Sequence, residues 1–185
     1  RTPPVQNAGS FVAGRQVADL RAMHLAGAAE PSKHVDFALP RSPVEAGRVL
    51  GAKLGLEVLA PNLTTHGFEF VGARPCEVRG TPAAHAMYRA SATGDVLSIF
   101  TLQRGADLRP TDFVRVGSRT YYVCNSDPEN RLSVVAWSQG EQTYLWCARW
   151  CINSMIQMAD CACESLQACP SAEVDVASTR GSNRP

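Results

Sequence analysis

The sequence predicts an α+β fold: an antiparallel β-sheet meander with one early and one late packing helix. Three observations carry that prediction. Short segments rich in Val, Phe, Tyr and Leu, separated by Gly, Asn, Asp or Pro, fill the middle of the 185-residue chain. Segments with helical periodicity stand before and after them. No internal repeat and no charge block interrupts the order.

Residues 1–10 carry Pro, Gly, Ser and Asn without periodicity and read as a linker. From Phe11 to Ala28, Val12, Val17, Leu20, Met23, His24 and Leu25 recur near helical spacing, with Arg15, Asp19 and Arg21 between them. This is an amphipathic helix, ended by Gly27 and Pro31. His34 to Leu39 alternates well enough for a short strand, stopped by Pro40. Ser42-Pro43-Val44-Glu45 is a helix start: a capping serine, proline at the first helical position, and a carboxylate able to reach back to the cap. Val44, Val49, Leu50 and Leu54 supply that helix's inward face, and Gly55 closes it.

Strands are then predicted over Leu56–Leu59, Phe68–Gly72, Arg74–Val78, Ala83–Arg89, Val96–Leu102, Thr120–Cys124, Leu132–Trp137 and Thr143–Ala148. Arg79-Gly80-Thr81, Thr93-Gly94-Asp95, Ser126 to Asn130 and Gln139-Gly140-Glu141 are the hairpin turns. Consecutive hairpins imply an antiparallel meander with one covered face. A last helix over Cys151–Ala159 sets Ile152, Met155, Ile156 and Ala159 against the sheet. From Asp160 the periodicity is lost, and residues 160–185 read as a mobile, Cys-containing tail.

Eighteen Lys and Arg against seventeen Asp and Glu leave a net charge of +1, so charge argues for neither nucleic acid nor an anionic surface. No apolar run approaches the roughly 18 to 20 residues that cross a bilayer. The chain opens on Arg1 and reads as a soluble fragment or processed form.

Seven cysteines, at 76, 124, 147, 151, 161, 163 and 169, leave an odd one. No CxxC pair is present, which argues against a structural zinc site. The sharpest constellation is Cys147, Cys151, Met155 and Met158. If the last helix began at Cys147, spacings of four would align three of them, and thiolate with thioether suits a soft ion such as Cu(I). The plainer alternative makes Met155 core and Cys147 a strand end. Cys161, Cys163 and Cys169 are candidates for a redox pair or a structural disulfide, with the disulfide preferred. Cys76 and Cys124 lie in predicted strands, as filler or as a cross-strand bridge.

His24, His34, His66 and His85 fall on separate elements with no HxxH spacing, which argues against a zinc hydrolase. His34, Asp36 and Ser42 supply the residue types of a hydrolytic triad, but no GxSxG elbow holds a nucleophile. Phosphate loops and dinucleotide fingerprints are missing. These readings favour a non-enzymatic module without a resident cofactor, a soft metal ion being the one exception considered.

Gly67-Phe-Glu-Phe-Val-Gly-Ala-Arg74, then Gly80-Thr-Pro-Ala-Ala-His-Ala-Met-Tyr88, then Leu97-Ser-Ile-Phe-Thr-Leu102 resemble the extracytoplasmic domain of bacterial transmembrane anti-sigma factors. In that family a "GF.LVGGR" hairpin precedes a "G.PAA.L.Y" strand and one reading like "LFV". The helix ending in Leu54-Gly55, with Val58 and Pro61-Asn62-Leu63, resembles the family's approach to that hairpin, and Val134 to Gly140 with Thr143-Tyr144 resembles a later "V.W..GG..Y" hairpin. The match spans roughly 33–159 and departs at Ala73, at Asn62 and in the cysteine-rich end from Cys147.

The resemblance implies a juxtamembrane linker and helix over 1–32, a sensor-like domain over 33–159, and a location on the outer face of the bacterial cytoplasmic membrane. It implies a protein partner or regulatory protease in the envelope. Sigma factor would be met only through a separate cytoplasmic part, the membrane only through a preceding span, and nucleic acid not directly. The alternative, of another class, is a small secreted metal-binding protein of copper type built on Cys147, Cys151, Met155 and Met158.

Overall fold

The computed structural model describes residues 13–103, 112–123 and 131–167. Its helices are α1 (Ala13–Ala29), α2 (Pro43–Leu54) and α3 (Ile152–Gln167), with 3-10 turns at Pro31–Lys33 and Thr64–His66. The strands are β1 (Phe68–Val78), β2 (Thr81–Ala90), β3 (Val96–Gln103), β4 (Asp112–Val116), β5 (Arg119–Val123), β6 (Ser133–Gln139) and β7 (Gln142–Ala148). They form one sheet in the order β1-β2-β3-β7-β6-β5-β4. Every pairing is antiparallel. The fold is α+β with early and late helices, as the sequence predicts. Its sheet joins two meanders, β1 to β3 and β4 to β7, along the β3–β7 seam.

Both sheet faces are covered, where the sequence led to one. Ala84, Ala86, Tyr88, Ile99, Trp137 and Trp146 point to the face that also buries Leu50 of α2 and Met155, Ile156 and Ala159 of α3. Ala83, Phe100, Leu102, Val134, Leu145 and Cys147 point to the other, where Val17 and Leu20 of α1 pack. Successive residues of a strand face opposite ways, so unbroken burial along β7 requires a cover on each side. Trp137 pairs with Tyr144 across the β6–β7 register, rings 5.4 Å apart.

Turn chemistry sets the registers. Arg79 and Gly80 both adopt positive φ, 52° and 78°, as a two-residue turn between twisted strands requires. β1 is one continuous strand with a register shift between Phe70 and Gly72, so the two predicted strands are its halves. The bulge leaves Gly72 at φ 153° facing Val35, whose side chain would lie 2.8 Å from an added β-carbon.

Several local expectations are corrected. His34–Leu39 is no strand: Asp36 donates one backbone bond to Ala73, its carboxylate accepts from the Ala38 N–H, and Phe37 stands 77 % exposed. The aspartate turn competes successfully with a ladder there. Leu56–Leu59 forms no ladder either and runs beneath α2. Pro43 opens α2 and Gly55 closes it in the left-handed conformation, but the Ser42 side chain makes no cap bond. Val44 is exposed, and Ala46, Gly47 and Leu50 form the buried face, because the helix rotates its glycines onto the 56–60 segment.

Tyr88 lies in β2, between β1 and β3. It is fully buried and donates its hydroxyl to the Pro61 carbonyl at 2.9 Å. α3 continues to Gln167, so the tail assigned to 160–185 begins in a packed helix, with Ala162 and Cys163 in the core. Asp160 accepts bonds from Arg119 at 2.6 Å and from the Tyr121 hydroxyl at 2.7 Å, fastening α3 to β5. Residues 1–12, the turn at 126–130, Cys124 and Cys169 lie outside the described residues. Among the described residues no helix is long and apolar enough to cross a membrane.

Candidate functional site

Three of the four histidines, which the sequence scatters over separate elements, gather between α1 and the sheet. His24 reaches from α1 to Ser98 of β3, Nδ1 to Oγ 2.9 Å. His85 of β2 meets the same Oγ through Nε2, also at 2.9 Å. The register sets Met87, not His85, opposite Ser98, so His85 reaches diagonally while its ring stacks on its own partner Phe100, centroids 4.3 Å apart. His34 completes the group beyond Gly27. The open side of that glycine faces His85 Cε1 at 3.5 Å, His34 Cβ at 3.7 Å and Met87 Sδ at 2.7 Å from where a β-carbon would stand. A side chain there would lift α1 from the sheet.

Burial governs the electrostatics. His24 is held down to about 4, by desolvation first and the Arg149 charge second. His85 is held down to about 3, by desolvation first, then by Arg74, His24 and His34. Both rings are neutral at pH 7. A serine has one proton to donate, so one ring accepts it and the other donates an N–H to the same oxygen. Arg74 is the register partner of His85, and Arg74 Nε, His34 Nδ1 and His85 Nδ1 are buried without a hydrogen-bond partner.

This cluster lacks the form of a hydrolytic triad. Ser98 is 0 % exposed, and among the described residues no carboxylate is bonded to either imidazole to orient it. A cleft of about 310 Å³ adjoins it, lined by His24, Ala28, Asp95 and Arg149 among others. The arrangement can hold α1 down and respond to protons. His34, Asp36 and Ser42 build no triad either, since Asp36 serves its own turn.

The cysteine and methionine set does not assemble as the sequence proposed. Cys147 lies in β7 and faces the α1 side, whereas Met155 and Met158 lie on α3 at the opposite face. The helix starts after the strand has ended and the chain has turned through Arg149 and Trp150, so no common helical face exists. Cys151 precedes α3 and is exposed, and its thiol pKa is lowered by the backbone N–H of Ser154, then by the Ser154 hydroxyl and the Asn153 N–H.

Cys161 is exposed and Cys163 buried, as a spacing of two on a helix dictates, so these two do not form a pair. Burial pushes the Cys163 thiol up to about 11 against the opposing pull of Arg119. Cys76 is likewise pushed up to about 11 by burial. Among the described residues no group of three His, Cys, Asp or Glu side chains is placed to hold a metal ion.

Sequence reading missed the histidine cluster because its members come from four elements. The available signals were His24 within the apolar stripe of α1 and the polar pair His85 and Ser98 at buried positions of largely apolar strands. The chain matches no protein-family model, no curated protein and no solved structure.

Proposed function

We propose that this chain is an extracytoplasmic sensing and interaction module of a membrane-anchored anti-sigma factor, acting on transcription indirectly and without catalysis of its own. One observation carries the reading: the separate pieces of the resemblance belong to one packed unit. Pro61 and Tyr88 are joined by a buried hydrogen bond, and Tyr88 stands in the core that contains Leu50, Leu97, Trp137 and Tyr144. A functional unit recognised through several short stretches is expected to have those stretches in mutual contact.

In this reading α1 is the moving part. It lies on the face away from α2 and α3, held by Val17, Leu20, the His24–Ser98 bond and the exposed Asp19–Arg79 pair. Exposed ion pairs contribute about 0–1 kcal/mol, so most of the grip rests on buried Val17, Leu20 and His24. Docking or release of α1 would cover or expose the segment leading to the membrane, and an envelope protease or protein partner would read that change.

The test is fractionation of the native protein from its source cells with an antibody against this domain. A membrane-bound species larger than this chain, which loses the domain to external protease, is the expected result. A soluble species of this chain's own size overturns the proposal.

A further inference from the structure

We propose that a cleft between the 3-10 turn Thr64–His66 and α3 binds a soft monovalent cation, Cu(I) or Ag(I), through His66, Met158 and Cys161. These three line one cleft of about 340 Å³ with Trp150, Ser154 and Gln157. Imidazole nitrogen, thioether sulfur and thiolate sulfur form a donor set that favours Cu(I) over Mg²⁺ or Ca²⁺. Among the described residues no carboxylate lines the cleft to attract a hard cation, and no Lys or Arg lines it to repel a soft one.

Both walls are fixed by the fold. Met158 and Cys161 are three residues apart on α3, hence neighbours one turn apart. His66 is presented by a turn whose exit, Gly67, takes φ 77° and donates its N–H to the Thr64 carbonyl at 3.0 Å. The next residue, Phe68, packs its ring on Trp150 with centroids 4.6 Å apart, tying that turn to the start of the α3 segment. His66 and Cys161 are exposed while Met158 is 5 % exposed, so an ion entering from solvent meets nitrogen and thiol first and the thioether last. The indole of Trp150 adds a polarisable face beside the ion.

Binding replaces the thiol proton of Cys161 by the metal and releases that proton to solvent. The ion keeps its charge, and no electron is transferred. The histidine cluster under α1 does not compete as a cation site, because Arg74 and Arg149 charge its surroundings. Of the four residues that the sequence put forward for a soft ion, this site keeps Met158 alone. It stands independently of the anti-sigma reading, since it is tested on the purified chain.

The experiment is an anaerobic titration of the intact protein with Cu(I) against a competing chromophoric chelator, repeated with Ag(I) as a redox-inert stand-in and followed by tryptophan fluorescence. One equivalent is expected, with affinity falling about tenfold or more in each of His66→Gln, Met158→Leu and Cys161→Ser. Cys76→Ser, which changes a thiol packed on the opposite, α1 side of the sheet, is expected to leave it unchanged. His66→Gln alters an exposed side chain and Met158→Leu conserves volume, so circular dichroism should show both folded. Undiminished affinity in His66→Gln and Met158→Leu would mean capture by thiols elsewhere and would overturn the proposal, as would the lack of any binding.

Discussion

His24 of α1 and His85 of β2 are bonded to the same atom, Ser98 Oγ, each at 2.9 Å. One hydroxyl satisfies two neutral imidazoles, donating to one and accepting from the other; two imidazolium ions would leave the Ser98 proton without a ring nitrogen to accept it and would stand as buried like charges beside Arg74 and Arg149.

Acid should therefore loosen the fold. The folded values, about 4 for His24 and about 3 for His85, lie below the ordinary histidine value of 6.5. Between those limits the unfolded chain binds more protons, so stability is full above about pH 6.5 and declines as pH falls toward 4. The slope approaches about 1.4 kcal/mol per pH unit for each histidine. Urea denaturation at a series of pH values from about 7.5 to about 4.5 should show this decline, and His24→Gln should flatten it by roughly half. An equal slope in the variant would show that other groups carry the pH dependence.

Gly51 is the tightest point of α2. A β-carbon added there would stand 2.6 Å from the Leu56 carbonyl oxygen, a backbone atom that cannot turn aside. Alanine gains about 1 kcal/mol of helix propensity, and overpacking of this kind costs about 1–3 kcal/mol. Gly51→Ala should thus lower the unfolding free energy measured in urea. A stabilised variant would mean that the 56–60 segment yields more readily than its packing implies.

The thiols should separate by reactivity. Cys151 is exposed and its pKa is lowered by N–H groups at the start of α3, whereas burial raises Cys76 and Cys163 to about 11. Iodoacetamide at about pH 7.5, with peptide mass spectrometry, should modify Cys151 in the native protein well before Cys76 or Cys163. In denaturant the three should react alike. Native Cys163 reacting as fast as Cys151 would contradict the packed position of α3.

The hairpins were legible because their signals are local. Arg79-Gly80, Thr93-Gly94-Asp95 and Gly140 mark turns by residue type, and β2, β3, β6 and β7 are rich in residues that favour strands. α2 announced itself through Pro43 and Gly55. β4 gave no such sign: Asp112, Phe113, Val114 and Arg115 are all exposed, so no buried face imposes an alternating pattern. The helical periodicity of α1 correctly put His24 among its apolar residues, but its partner Ser98 comes from β3 and no spacing reveals it. Cys147 was misplaced because a spacing of four reads alike whether or not a helix has begun. The soft-donor cleft was equally hidden, since the whole sheet separates His66 from Cys161 in sequence.

The β3–β7 seam has a consequence for how the chain folds. Each meander pairs strands that are neighbours in sequence, whereas Ser98 to Gln103 must find Gln142 to Cys147 across a long stretch of intervening chain. Two locally assembled halves are thus expected to precede the joined sheet, their inner edges unpaired until they meet. The interval before that meeting is when this protein is most open to pairing with a second copy of itself, and a chaperone that shields strand edges would protect it there.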